Sequence, residues 1–243
     1  MEEGYATDVM VTSSELGTRE RNDHIKARIG IDRMGHRVRP GLYALGTPER
    51  SSPVLVTANY SLSFDALRSS LPGRSVWILV LDTKGINVWC AAGKGTFGTE
   101  ELLRAVQATD LASKVDGRTL VLPQLGAPGV SAHEVRKGCG FKVEYGPVRA
   151  EDLPSYLDTG ECTEAMRTVR FDLKDRMVLA PVEIRNYRWW MLLLLLAAIF
   201  VPFYGPLALT LTLAGIFLFP ALLPFLPGKE LSLKGMVLGA IVV

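Results

Sequence analysis

Between residues 54 and 145 the chain alternates short unbroken apolar runs with longer stretches of mixed polarity. Val54-Leu55-Val56-Thr57, Val76-Trp77-Ile78-Leu79-Val80-Leu81 and Thr119-Leu120-Val121-Leu122 are β-branched and lack polar alternation, as strands buried on both faces do. Phe141-Lys142-Val143-Glu144-Tyr145 reads as a further strand. Residues 63–71 and 99–112 read as helices, the latter opening on Thr99 as a cap followed by Glu100 and Glu101, acids that the helix dipole favours. Ser131-Ala132-His133-Glu134 is a capping-box pattern that opens another helix, giving way near Gly138. The alternation predicts an α/β fold, a Rossmann-like mostly parallel sheet with helices on both faces. In such sheets ligands lie beyond the carboxyl ends of the strands.

Residues 1–50 form a polar, Arg-rich lead-in that ends in the turn signal Pro40-Gly41-Leu42-Tyr43 and is expected to wrap the domain rather than fold alone. The expected divisions are this lead-in, an α/β domain over 51–184 and a transmembrane region over 185–243. Residues 189–228 carry no charge, a stretch longer than the roughly 20 apolar residues that one span needs. Two transmembrane helices are predicted, with the turn at Tyr204-Gly205-Pro206 and with Trp189 and Trp190 at the interface. A soluble core hairpin would not need apolar residues on every face. Arg185 and Arg188 precede the stretch and Lys229 and Lys234 follow it, so both flanks are expected on the cytoplasmic side of the cytoplasmic membrane, with the domain facing the cytoplasm. The apolar run after Lys234 stops at Val243, too short to cross, and is expected to be a truncated third span.

Composition narrows the chemistry. A formal net charge of +2 with no basic stripe argues against a nucleic-acid partner. The three cysteines, Cys90, Cys139 and Cys162, lie far apart without a CxxC spacing, which excludes a sequence-local zinc or iron-sulfur motif and a disulfide framework. The start Met1-Glu2-Glu3-Gly4 is acidic and no apolar stretch follows it, so no secretory signal is expected and the domain should meet the reducing cytoplasm.

The candidate chemistry lies after the second strand, in Asn87-Val88-Trp89-Cys90-Ala91-Ala92-Gly93-Lys94. If Asn87 caps a short helix, Cys90 takes its third position, where unpaired amides and the dipole stabilise a thiolate, the metal-binding form. Lys94 follows one turn later, and the small Ala91, Ala92 and Gly93 would let a broad flat ligand approach. Gly93-Lys94 fails as a Walker A ending, with Val88 in place of the first glycine and Gly95 in place of Ser or Thr. A buried structural cysteine is the other reading of Cys90. The loop Gly126-Ala127-Pro128-Gly129 before Ser131 could hold a phosphate on backbone amides or be a plain turn. His133, Cys139 and Cys162 read as surface or packing residues.

The octapeptide from Asn87 to Lys94 resembles the cap-helix signature of the mercury-methylating corrinoid protein family, HgcA. So do Pro53-Val54-Leu55-Val56-Thr57-Ala58-Asn59-Tyr60, Leu81-Asp82-Thr83-Lys84-Gly85-Ile86, Gly95-Thr96-Phe97-Gly98-Thr99-Glu100-Glu101-Leu102 and Leu122-Pro123-Gln124-Leu125-Gly126-Ala127-Pro128-Gly129-Val130. The resemblance covers roughly residues 40–184, and that family continues through more membrane spans than this chain has. It implies a domain similar to the corrinoid-binding domain of the corrinoid iron-sulfur protein, a cobalamin-type corrinoid with its cobalt, and Cys90 as catalytic residue and metal ligand. Cofactor contacts are implied for Thr57, Asn87, Val88, Trp89, Cys90, Ala91, Ala92, Gly93, Lys94, Gly126 and Gly129. The implied activity is a methyltransferase passing a methyl group from a methyltetrahydrofolate-linked donor to Hg(II), giving methylmercury, with a ferredoxin-like [4Fe-4S] protein as electron donor. The alternative is a membrane-tethered corrinoid methyl carrier in one-carbon, acetyl-CoA pathway-like metabolism. A third reading is a membrane-anchored binding module without cobalt.

Overall fold

The computed structural model describes residues 4–32 and 34–242. Met1, Glu2 and Glu3 of the acidic start, Arg33, and Val243 at the end of the expected third span lie outside the described residues. The chain divides into two compact units, Met1–His24 with Asp32–Val169, and Ile25–Ile31 with Arg170–Val243.

The first unit is built on six strands: β1 Ala6–Thr12, β2 Gly41–Leu45, β3 Val54–Ala58, β4 Val76–Leu81, β5 Thr119–Pro123 and β6 Lys142–Gly146. They lie in the order β1-β2-β4-β3-β5-β6. β4, β3, β5 and β6 run parallel to their neighbours, with Leu55 opposite Ile78 and Leu120 opposite Val143. The helices are α1 Thr18–Arg28, α2 Ser61–Ser69, α3 Val88–Lys94, α4 Thr99–Ala108, α5 Leu111–Lys114, α6 Ala132–Cys139 and α7 Leu153–Thr159.

The two-residue period of a strand sends alternate side chains to opposite faces. Val54, Val56, Ala58, Leu79, Leu81, Leu120 and Leu122 pack on Leu102, Ala105 and Val106 of α4, on Val135 of α6 and on α3. Leu55, Ile78, Val80 and Val121 pack on Phe64 and Leu67 of α2 and on Leu153 and Tyr156 of α7. Both faces are therefore covered, as the unbroken apolar runs require. From β3 the chain passes through α2 to β4 on one side, then through α3 and α4 past β3 to β5. The winding reverses between β3 and β5, and the crevice of a doubly wound sheet opens at that point, beyond the carboxyl ends of the two strands.

The structure differs from the sequence expectations in two places within this unit. Residues 1–50 contribute β1 and β2 to the sheet, and β2 pairs antiparallel with β4, Tyr43 opposite Ile78. All five residues of β2 are buried; a run this short carries little periodic signal. The helix expected to reach residue 112 ends at Ala108, because Asp110 turns left-handed at φ 44° before the short α5. Its cap position is Gly98, while Thr99 Oγ1 accepts from the Ser131 amide at 2.8 Å instead.

In the second unit the apolar stretch breaks earlier than expected. Helix Arg188–Phe200 ends before Pro202, which lacks an amide proton and disfavours a helical conformation at Val201. Pro206 sits in the first turn of the next helix, where a missing amide proton costs nothing, so Tyr204-Gly205-Pro206 opens a helix rather than making the turn. The 13 residues of Arg188–Phe200 cover about 20 Å, short of the ~30 Å hydrocarbon core. The continuous helix Tyr204–Leu222, with 19 residues and a mean hydropathy of 1.8, is long and apolar enough to cross a membrane; Leu231–Val242 is shorter. Among the described residues one such helix therefore stands where two complete spans were expected.

Candidate functional site

At the reversal of winding lies a cavity of about 290 Å³. Leu55 and Thr57 of β3 and Val121 and Pro123 of β5 form its floor, α2 contributes Ser63 and Ala66, and Pro147, Val148 and Leu153 close the far side. Asn87, Val88 and Trp89 at the start of α3 complete it, and no charged residue lines it. Thr57 is 3% exposed.

The approach to α3 is built from residues 82–87. Asn59, 2% exposed at the carboxyl end of β3, accepts through Oδ1 from the amides of Thr83 and Gly85, both at 3.0 Å. Its Nδ2 donates to Asp82 Oδ1 at 3.0 Å. Asp82 in turn accepts from the Lys84 amide at 3.1 Å and from Lys84 Nζ at 2.9 Å. Burial would raise the Asp82 pKa, but these bonds from Lys84 and the one from Asn59 outweigh it and hold the carboxyl below its usual range. Lys84 and Gly85 both adopt positive φ, 60° and 73°, so the loop makes a sharp turn that its own side chains stabilise. Tyr5 donates to Glu101 of α4, and the Asp82 amide donates to Tyr5 Oη at 3.1 Å. Burial first, then the bond to Glu101, push the Tyr5 phenol well above its usual range, against the lowering effect of the Asp82 amide.

Asn87 caps α3 with extended backbone, its side chain accepting from the Cys90 amide at 2.9 Å. Cys90 is therefore the third helical residue, as the sequence reading has it, and its side chain is exposed. Helical spacing splits the octapeptide in two. Trp89, Cys90, Gly93 and Lys94 face outward, whereas Val88, Ala91 and Ala92 are buried in the core. Ala91 and Ala92 are thus small for packing against the domain and not for a ligand. At Gly93 a side chain would meet open space.

The loop after β5 supports α3 from below. A Cβ on Gly129 would overlap Phe97 O and come within 3.1 Å of Ala92 Cα, and one on Gly126 would lie 2.5 Å from the Phe97 ring. The Gly129 amide donates to Gly126 O at 3.0 Å and the Ala127 amide to Gln124 O at 3.1 Å. The Gly129 and Ala127 amides are engaged within the turn, and Gly126 and Gly129 allow the close approach of Phe97 and α3, as a plain turn would. His133 is exposed; Cys139 and Cys162 are half-buried, with Cys139 Sγ donating to Val135 O at 3.3 Å. The sequence reading passed over Asn59, Ser63 and Pro147-Val148. For Asn59 the signal was available, a polar side chain directly at the end of a fully buried strand.

A family model described as CdhD, CO dehydrogenase/acetyl-CoA synthase delta subunit, matches residues 25–157, which contain α3 and every residue that lines the cavity. Curated relatives are gamma subunits of the acetyl-CoA decarbonylase/synthase complex. That of Methanopyrus kandleri is 34% identical over 123 residues, 50% of this chain and 26% of the relative. That of Methanocaldococcus jannaschii is 37% identical over 92 residues, 37% of this chain and 19% of the relative. That of Methanothermobacter thermautotrophicus is 30% identical over 123 residues, again 50% and 26%. The chain spans about a quarter of the length of the curated relatives it matches. These findings correct the resemblance to the mercury-methylating family: both name the acetyl-CoA system, and nothing in them supports Hg(II) as a substrate. The chain belongs to the CO dehydrogenase/acetyl-CoA synthase delta subunit family.

Proposed function

We propose that the first unit holds a corrinoid and serves as a methyl-group carrier in one-carbon metabolism, working with partner subunits of an acetyl-CoA decarbonylase/synthase type. The observation that carries this reading is the exposed Cys90, fixed on a capped turn next to Trp89, which lines an uncharged cavity at the reversal of the sheet.

The residues present fit such a cofactor. A cysteine sulfur is a soft metal donor. The open space at Gly93, one helical turn from Cys90, leaves room for a broad macrocycle on that face. The uncharged lining, with Thr57 at its floor, suits the uncharged organic part of the molecule. When bound, the corrinoid's cobalt supplies the centre that takes up and gives away the methyl group. The protein's share would be to hold the cobalt through Cys90, to hold α3 at the sheet edge through Asn87 and the loop before it, and to screen the cavity from water with Trp89 and Val148. The electron donor is proposed to be a ferredoxin-like [4Fe-4S] protein or a partner subunit.

Reconstitution of the full chain with hydroxocobalamin tests the reading. The wild type and the Cys139→Ala and Cys162→Ala variants should retain corrinoid through gel filtration with a thiolate-shifted absorption spectrum, and Cys90→Ala should lose that shift. A wild-type protein that retains no corrinoid would refute it. The second unit is proposed as a membrane anchor on the strength of Tyr204–Leu222 and the exposed Trp189, Trp190, Ile199 and Phe200. Recovery of the expressed chain in the alkaline-carbonate supernatant rather than the membrane pellet would rule the anchor out.

A further inference from the structure

We infer that Asn59 is the positioning residue of the site, fixing the direction in which α3 presents Cys90. The inference rests on the reading that Cys90 meets the corrinoid. The geometry behind it stands apart from any ligand. One buried side-chain amide serves four groups of the following loop, the Thr83 and Gly85 amides at 3.0 Å and the Thr83 hydroxyl at 2.9 Å through Oδ1, and the Asp82 carboxylate at 3.0 Å through Nδ2.

Asn59 is itself locked in place. Its amide donates to Leu81 O at 2.9 Å, extending the pairing of β3 with β4, and its carbonyl accepts from the Val38 amide at 2.9 Å. The side chain therefore projects from a fixed point of the sheet into a loop with two successive left-handed residues, Lys84 and Gly85. Such backbone is costly for Lys84 and persists where surrounding bonds determine it. Two residues past Gly85 comes Asn87, whose side chain accepts the Cys90 amide at 2.9 Å and whose carbonyl accepts the Ala91 amide at 2.9 Å. The hydrogen bonds thus run from strand β3 through Asn59 to Thr83 and Gly85, Thr83 Oγ1 donates on to Ile86 O at 2.6 Å, and the backbone itself carries the link from Ile86 to Asn87, the cap of α3. A seven-residue helix has too few internal bonds to fix its own direction. Its underside is held by the Gly126–Gly129 turn, and the loop that leads into it by Asn59.

Two features separate this role from general stabilisation. Asn59 is 2% exposed and does not line the cavity, so it offers no surface of its own to a ligand. Its bonding is also reversible in sign: an amide at 59 faces a carboxylate at 82. In Asn59→Asp/Asp82→Asn the acceptor oxygen for Thr83 and Gly85 is kept and the donor moves to residue 82.

The test uses the full chain with and without hydroxocobalamin. In Asn59→Ala, amide hydrogen exchange over residues 83–92 should rise about tenfold or more, the loss expected when buried amides go unpaired, while exchange in β4 and β5 stays as in the wild type. The thiolate-shifted spectrum should weaken without a matching loss of retained corrinoid. Asn59→Asp alone should show the same defects through repulsion by Asp82, and Asn59→Asp/Asp82→Asn, which restores the bond between 59 and 82 but removes the Oδ1 acceptor of the Lys84 amide, should recover both in part. If Asn59→Ala unfolds, the single and double Asp variants still decide the matter. Unchanged exchange at 83–92, or a double variant no better than Asn59→Asp, overturns the inference. A wild type that retains no corrinoid while exchange responds as stated sinks the proposed function and leaves Asn59 as the hub of the loop.

Discussion

Gly93 offers the sharpest separation between ligand contact and folding. It lies on the exposed face of α3, one turn after Cys90, and a Cβ placed there meets nothing within 4 Å. Gly93→Ala should therefore stabilise the domain, by about 0.5–1 kcal/mol from backbone entropy alone. In a domain of this size that raises Tm by roughly 1–4 °C. Gly93→Leu should also leave Tm at or above the wild-type value, yet it places an isobutyl group where the macrocycle is proposed to rest. Overpacking at a close contact costs about 1–3 kcal/mol, so affinity for hydroxocobalamin should fall roughly tenfold or more. Ala91→Leu, one face away and fully buried against the core, should do the reverse, lowering Tm through about 1–3 kcal/mol of overpacking. Differential scanning calorimetry of the cofactor-free variants and equilibrium titration with hydroxocobalamin provide both readouts. If Gly93→Leu binds corrinoid like the wild type, the ring does not lie on this face. A lowered Tm in Gly93→Ala would mean that the glycine is there for the fold.

Gly129→Ala should destabilise by more than about 2 kcal/mol, seen as a lower urea midpoint, because the new Cβ meets the backbone atoms Phe97 O and Ala92 Cα, which cannot swing aside. The Asp23 carboxyl should contribute to acid sensitivity: burial would raise its pKa, but hydrogen bonds from Ser61 Oγ at 2.6 Å and His36 Nδ1 at 2.7 Å lower it below its usual value. A depressed carboxyl stabilises above its unfolded pKa and loses that contribution as pH falls through the folded value. Urea midpoints of Asp23→Asn should accordingly lie below wild type at pH 7 and converge with it below about pH 4; curves that stay parallel throughout would show that the bonds add nothing.

The parallel core of the sheet was readable because β3, β4 and β5 are buried on both faces and so run apolar without interruption, and β4 matches residues 76–81 at both ends. The Asn87 cap was readable for a local reason, since the bond to the Cys90 amide depends on spacing alone. The orientation of Ala91 and Ala92 was not, because small residues on a helix suit either a core or a ligand, and which face is inward depends on Phe97 and Gly129, residues set by long-range packing. The strand character of residues 41–45 was hidden by their brevity, and the helix break at Val201-Pro202-Phe203 by the competing turn signal three residues later. Asn59 could be singled out as a polar residue at the end of a buried strand, but its role could not, because its partners Asp82, Thr83 and Gly85 are brought to it only by the pairing of β3 with β4.

The placement of β2 has a consequence for dissecting the protein. By lying antiparallel along β4, Gly41 to Leu45 cap the ladder groups of Val-Trp-Ile-Leu-Val-Leu, a strand with neither charge nor proline to discourage association. A fragment cut at residue 51, where composition alone suggests a boundary, would bare that strand as a sticky margin of the kind that recruits other copies into intermolecular sheets. The polar opening of the chain thus carries, inside it, the five-residue guard that keeps the most aggregation-prone segment of the domain from meeting its neighbours.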